Sequence, residues 1–272
     1  MAPTPVPVPN IRVSFGRYMM AAAALGFGAL GIAFSSTVQG LEALPKAMPG
    51  QTALAWISGA LLLAGGGGLL IGRWAAHAAL GLAAIFLIWV LAIHLPLLIA
   101  APGSMLEWVI ATETLALAAG ALALAGALDV RREATPALLA RITPWAPYLF
   151  AINLPVFALS HAVYLTYVAG DVPSWLPART FLAGLTGAGH LAAGVAILSG
   201  VLARLGATLL GVMYAIIMLL VHLPDVLAAP ADRSAWTNLL LDLAITGAAF
   251  AVAGVVKDRA LFNARAAADA AA

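Results

Sequence analysis

Few residues in this 272-residue chain can do chemistry, and the telling ones lie inside long apolar runs. His94 and Glu113 do so in the first half, and His161, His190, His222 and Asp242 in the second. An ionisable side chain in hydrocarbon costs about 2.5–3.5 kcal/mol on insertion scales, so such residues face the interior of a bundle and mark candidate sites. An imidazole near a carboxylate supplies groups that exchange protons at usable pH. That chemistry suits a quinone, or another hydrophobic molecule with a polar end. Asp242 lies six residues past Trp236, and Glu113 six past Glu107. Each is therefore about 9 Å deeper than its boundary residue at a helical rise of about 1.5 Å. His190 lies ten residues past Thr180, or about 15 Å in. With His161 near mid-helix, the expectation is that His161, His190 and Asp242 meet at one depth. All six residues are candidate ligand-binding residues.

Other polar positions carry a plainer reading. His94 and His222 each precede Leu-Pro at a helix end, where an imidazole can cap carbonyls or sit among headgroups. His77, Glu107 and Asp225 read as interface residues, Gln39 as a further polar residue of the first half, and Asn153 with Pro155 as a kink. Trp56, Trp74, Trp108, Trp145, Trp175 and Trp236 lie near the expected helix boundaries and read as interface anchors. The chain has no cysteine, which excludes thiol redox chemistry, disulfides and cluster ligation by thiolate. Haem held by two of His161, His190 and His222 is conceivable, but no spacing demands it. No metal site is expected, because no close-spaced ligand pair occurs. Neither a nucleotide-binding nor a hydrolase motif stands in a supporting context, and no basic aromatic surface suits nucleic acid.

Apolar runs must position these residues. Hydrophobic residues make up 64% of the chain and charged residues 9%, with mean hydropathy +1.04. A soluble domain is about 45–50% apolar and about 25% charged, so the lipid bilayer is the expected partner. Runs of about 20 residues cross the hydrocarbon core as helices. Eight are expected: Tyr18–Gln39, Thr52–Gly72, Trp74–Pro96, Met105–Leu128, Tyr148–Gly170, Thr180–Leu202, Leu205–Ala228 and Trp236–Val256. The fold class is thus an all-α integral membrane protein of eight transmembrane helices. Residues 1–17 read as a Pro-rich lead-in, 129–147 as a connector and 257–272 as a tail. The first run is too long for a signal peptide, and no convincing cleavage site follows it.

Basic residues set the orientation. Arg12, Arg17, Arg73, Arg131, Arg132, Arg141, Arg204, Lys257, Arg259 and Arg265 fall on one side, and Lys46, Arg179 and Arg233 on the other. The positive-inside rule then puts both termini in the cytoplasm of a bacterial-type inner membrane.

The sequence also repeats itself. His94-Leu95-Pro96 recurs 128 residues later as His222-Leu223-Pro224. The same offset relates Gly59-Ala60 to Gly187-Ala188, Gly66 to Gly194, Ala101-Pro102 to Ala229-Pro230, and Trp108 to Trp236. The expectation is two four-helix units, 18–128 and 148–256, forming a parallel repeat about an axis along the membrane normal.

In the second unit Pro173-Ser174-Trp175-Leu176-Pro177 leads into Thr186-Gly187-Ala188-Gly189-His190-Leu191-Ala192-Ala193-Gly194. This resembles the DoxX-like family of four-helix membrane proteins. The first unit has a weaker form, Leu44-Pro45-Lys46-Ala47-Met48-Pro49 followed by Ser58-Gly59-Ala60. The whole chain is similar to a tandem fusion of that unit. The resemblance implies small helical bundles, some of which are subunits of a thiosulfate:quinone oxidoreductase. Where the family often has Glu in its second helix, this chain has His190 in one half and Leu62 in the other. The expected function is binding of a hydrophobic or quinone-like molecule in a membrane redox setting. The alternative is a non-catalytic carrier of lipid or a small molecule, or a scaffold subunit of a membrane complex.

Overall fold

The computed structural model describes residues 10–38, 40–42, 44, 49–129 and 137–259. Gln39, Lys46, Arg131, Arg132 and Arg265 lie outside the described residues, as do most of the lead-in and tail. The described chain is helical throughout, with no strand. Eight helices are long and apolar enough to cross a membrane: α1 Ile11–Ala33, α2 Gln51–Leu70, α3 Gly72–Ala100, α4 Met105–Leu128, α5 Thr143–Val163, α6 Arg179–Ser199, α7 Ala203–Ala228 and α8 Arg233–Val255.

Six of the eight begin within three residues of the sequence expectation, and two differ for local reasons. α1 starts at Ile11 rather than at residue 18, because the Asn10 side chain accepts a hydrogen bond from Val13 N at 3.0 Å and starts the helix there. It ends at Ala33, short of residue 39. The carbonyls beyond its end are met by Arg233, which donates to Ser36 O at 2.9 Å and to Thr37 O at 2.5 Å. α5 starts inside the expected connector, at Thr143, and is interrupted at residues 152–153. There Asn153 turns its amide back onto Leu149 O at 2.8 Å, just before Pro155 removes a backbone donor. After a break at Tyr164 a short helix, Leu165–Asp171, carries the chain on to its loop.

Each helix packs on its neighbours in sequence, and α1 also packs extensively on α8, so the eight close into a ring. α4 and α8, both members of the ring, also pack on each other. They are the most buried of the eight, while α2, α3, α6 and α7 present long apolar faces outward. Close approach comes from small residues. A Cβ on Gly120 of α4 would lie 2.2 Å from the Ala248 Cβ of α8, and one on Gly28 of α1 would lie 2.6 Å from Gly59 O of α2.

Two local features recur at the 128-residue spacing. α3 and α7 each contain one π-helical turn, Val90–His94 and Met218–His222. Each turn comes just before a proline, Pro96 or Pro224. A proline lacks the N–H an α-helix needs, and an i→i+5 turn accommodates the disruption without ending the helix. In the loops that follow, Trp108 Nε1 donates to Pro102 O and Trp236 Nε1 to Pro230 O, both at 2.9 Å.

Candidate functional site

Neutral Ala, Leu and Gly fill most of α5–α8, so the few polar side chains on their inner faces collect together. His190 sits midway along α6 and is 1% exposed. Its Nδ1 lies 2.8 Å from Thr186 O, one turn back on the same helix. A carbonyl only accepts, so Nδ1 carries the hydrogen and Nε2 is left as an acceptor. Tyr214 of α7 fills that role, its hydroxyl donating to His190 Nε2 at 2.7 Å. His161 of α5 faces the same ring with centroids 5.0 Å apart, and its Nδ1 donates to Phe157 O at 2.8 Å. Phe157 closes the edge of His190 at 5.6 Å. The Gly187 backbone makes room for His161, since a Cβ there would come within 2.9 Å of the His161 Cβ.

A second polar group lies toward the Arg233 end of α8. His222 Nε2 is 3.4 Å from Asp242 Oδ2, and His222 Nδ1 is 3.9 Å from Asp225 Oδ2. Neither contact is aligned as a hydrogen bond, and both His222 Nδ1 and Asp242 Oδ2 are buried without a hydrogen-bond partner among the described residues. Glu113 of α4 lies close enough to act electrostatically on Asp242, and both carboxylates act on Tyr214. The two groups are thus adjacent parts of one polar interior. Asp225 is the exposed end, its side chain 62% accessible.

The π turn produces the alignment on α7. Tyr214 and His222 are eight residues apart, a spacing that puts two side chains about 80° apart on an ideal α-helix. The extra residue of the Met218–His222 turn brings the interval close to that of seven, which returns both to one face.

The structure therefore brings together five of the six candidates. His161 and His190 meet, as their depths indicate. Asp242 pairs with His222, and Glu113 joins from the first half. His94 stands apart. It is 1% exposed, with Nε2 3.0 Å from Leu41 O and 3.2 Å from the Thr114 hydroxyl, and with Nδ1 unpartnered. Among the plainer readings, His77 is exposed beside Trp74, and Asp225 is exposed.

Tyr214, a member of the site, and the buried polar residues Thr114 and Glu42 outside it are not singled out by the sequence. Glu42 lies in the loop after α1 and is 4% exposed. Burial pushes its carboxyl above the ordinary range, while hydrogen bonds from Ser58 and Val38 N and the nearby Arg233 charge oppose the rise. Asp171, in the loop after α5, is raised by burial and by the Asp225 charge, with Arg179 opposing.

Positions 128 residues earlier hold apolar or neutral side chains. Leu62 stands where His190 does, Phe86 where Tyr214 does, Thr114 where Asp242 does and Leu97 where Asp225 does. The Nε2 contact of His94 with Thr114 mirrors that of His222 with Asp242.

At the far end of the helices a cavity of about 470 Å³ opens between the end of α4, the start of α5 and the chain leaving α8. Ala127, Tyr148, Ile197, Lys257 and Arg259 are among its walls. None of the candidate residues lines it.

Comparison with protein families, curated proteins and solved structures gives no match to this chain.

Proposed function

We propose that this chain is a multi-pass membrane protein that binds a hydrophobic, quinone-like molecule beside the His161–His190–Tyr214 group. The observation that carries the reading is the 2.7 Å bond from Tyr214 to His190, beside a second imidazole in an apolar interior. A quinone takes up protons at its carbonyl oxygens on reduction, and a phenol–imidazole–carboxylate set can deliver them once it has itself been charged with protons. Two fused DoxX-like units in parallel, with both termini cytoplasmic, make up the proposed architecture. The paired π turns, the paired Trp–Pro contacts and the meeting of Gly120 with Ala248 support the duplication. The second unit is then the functional one, because its counterpart positions in the first are Leu62, Phe86 and Thr114.

The test is extraction and titration. Protein purified from carbonate-washed membranes is extracted with solvent, and the extract is analysed for isoprenoid quinones. The apoprotein in nanodiscs is then titrated with a short-chain quinone. Saturable binding that His190→Leu abolishes is expected; an empty extract together with non-saturable partition would end the proposal. Reporter fusions at the N-terminus and just before Tyr148 are expected on the same side of the membrane.

The cavity at the opposite end favours a second reading. Its mixed polar and apolar walls carry Lys257 and Arg259 against one acidic residue, Asp129, which suits the head of an anionic amphiphile and fits a non-catalytic lipid carrier or scaffold subunit. Co-purified phospholipid lost on Arg259→Gln, with no quinone present, would select it.

A further inference from the structure

Among the described residues the polar interior of the second half has a mouth at one end. Asp225 is exposed at the Arg233 side of the helices, with Asp171 at the end of the short helix after α5 and Arg179 at the start of α6 nearby. From it the groups run inward: His222 at 3.9 Å, Asp242 at 3.4 Å from His222, and then, eight residues along α7 on the face of His222, Tyr214, which is 2.7 Å from His190; Glu113 of α4 is within electrostatic range of Asp242 and Tyr214. On the other side of this group the helices carry nothing ionisable until their far ends, where Arg12, Arg17, Tyr148 and Arg204 lie. Residues 114–128, 149–160, 191–199, 205–213 and 243–255 contain no Asp, Glu, His, Lys, Arg or Tyr. α1, which packs on α8, has none from 19 to 33. Protons need a chain of groups or waters, and apolar helix packed on apolar helix offers neither.

We infer that Asp225, His222, Asp242, Glu113 and Tyr214 form a one-sided proton relay that connects the His190–His161 pair to the aqueous phase at the Arg233 end of the bundle. The inference rests on the proposed membrane insertion but needs no bound ligand. The transfer balances without any oxidant. A proton from Asp225 or water adds to His222 Nδ1, and the proton on Nε2 leaves to Asp242, so the imidazole begins and ends neutral. Asp242, through Glu113 or a bridging water, returns a proton to Tyr214 as its hydroxyl proton passes to His190 Nε2. Two features suit these steps. Nδ1 of His222 and Oδ2 of Asp242 are buried yet unpartnered, so each is available to a passing proton. The 3.4 Å separation is a small displacement from hydrogen-bond distance. Under the proposed orientation this end faces away from the cytoplasm, so a ligand reduced at the pair would draw its protons from the outer phase.

The experiment uses the full chain in liposomes without quinone, its orientation fixed by protease removal of a C-terminal tag. Infrared difference spectra of the protonated-carboxyl region are followed while the pH is stepped on one side and clamped on the other. Bands removed by Asp242→Asn identify the buried carboxyl. They are expected to respond to pH at the Arg233 end alone. His222→Phe is expected to slow the response by about a hundredfold or more, the scale of a positioned proton-transfer group. Asp225→Asn, at an exposed position that the fold tolerates, slows it severalfold. A response to pH on the tail side, or unchanged rates in both variants, overturns the relay. Quinone titration of the same samples is a separate measurement, so loss of one result leaves the other standing.

Discussion

Gly120 and Ala248 meet where the two central helices cross, at a distance that leaves no room for a second Cβ. They lie 128 residues apart, so each faces its own counterpart in the proposed internal repeat. Counterpart residues coincide in space at a twofold axis and nowhere else, which makes this contact the natural marker of such an axis between the two halves. A branched side chain at Gly120 would force α4 from α8. Gly120→Val is expected to destabilise the protein by about 1–3 kcal/mol, the usual cost of overpacking. Gly67, whose Cβ position is open, is the control: Gly67→Ala is expected to be neutral or to stabilise by about 0.5–1 kcal/mol through helix propensity. Reversible unfolding in mixed detergent micelles measures both. Equal effects would mean that the crossing is looser than described.

Tyr214 donates the hydrogen bond to Nε2 of His190, whose tautomer the Thr186 carbonyl fixes. Tyr214→Phe keeps the ring, as Phe86 does at the counterpart position, and removes only the donor. The expected cost is about 0.5–1.5 kcal/mol. The nitrogen-15 resonance of His190 Nε2 is expected to move to that of an imidazole nitrogen without a donor. An unchanged resonance would mean that some other group supplies the hydrogen.

Arg233 reaches from the start of α8 to the carbonyls beyond α1 and lies over the Phe34 ring. Arg233→Ala is expected to destabilise by about 1–2 kcal/mol, through lost charge-assisted hydrogen bonds at a helix end. Lysine keeps the charge but not the fork, so Arg233→Lys should recover less than half of the loss. Full recovery by lysine would show that charge alone matters.

Glu42 gives a pH dependence of known sign. Its carboxyl is raised by burial in the folded protein, so the folded state holds the proton more tightly than the unfolded chain does. Its contribution is therefore fully present below the unfolded value near 4.5 and is lost as pH rises through the raised folded value. Glu42→Gln mimics the protonated form. The stability difference between variant and parent is expected to be near zero in acid and to grow in favour of Gln as pH rises. A difference that is flat across the range would rule out burial of an ionisable Glu42.

The eight helices are legible in the sequence because bilayer-length apolar runs leave few alternatives. Their ends are less so. Asn10 starts α1 from outside the apolar run, and Arg233 completes its far end from 200 residues away, neither of which hydropathy registers. Depth along a helix brings His161 and His190 together correctly, since both are near mid-span. It does not say which way a side chain points, and so it leaves Asp242 beside its histidines when its partner is His222. Tyr214 escapes notice for a related reason. Eight residues from His222 is the wrong interval on an α-helix, and only the π turn makes it the right one.

Those two π turns have a further consequence. Each is a single extra residue absorbed in mid-helix, so removing one residue from 218–221 should restore ordinary winding rather than break α7. The flanks would keep nearly the same rotation relative to each other, because seven α-helical residues turn through about the angle that the eight across the π turn do. Such a shortened protein would still be made and inserted, with Tyr214 and His222 on one face, whereas one residue added to the same segment would swing them apart by about 100°. The equivalent excision at 90–93 would leave His94 turned toward Thr114.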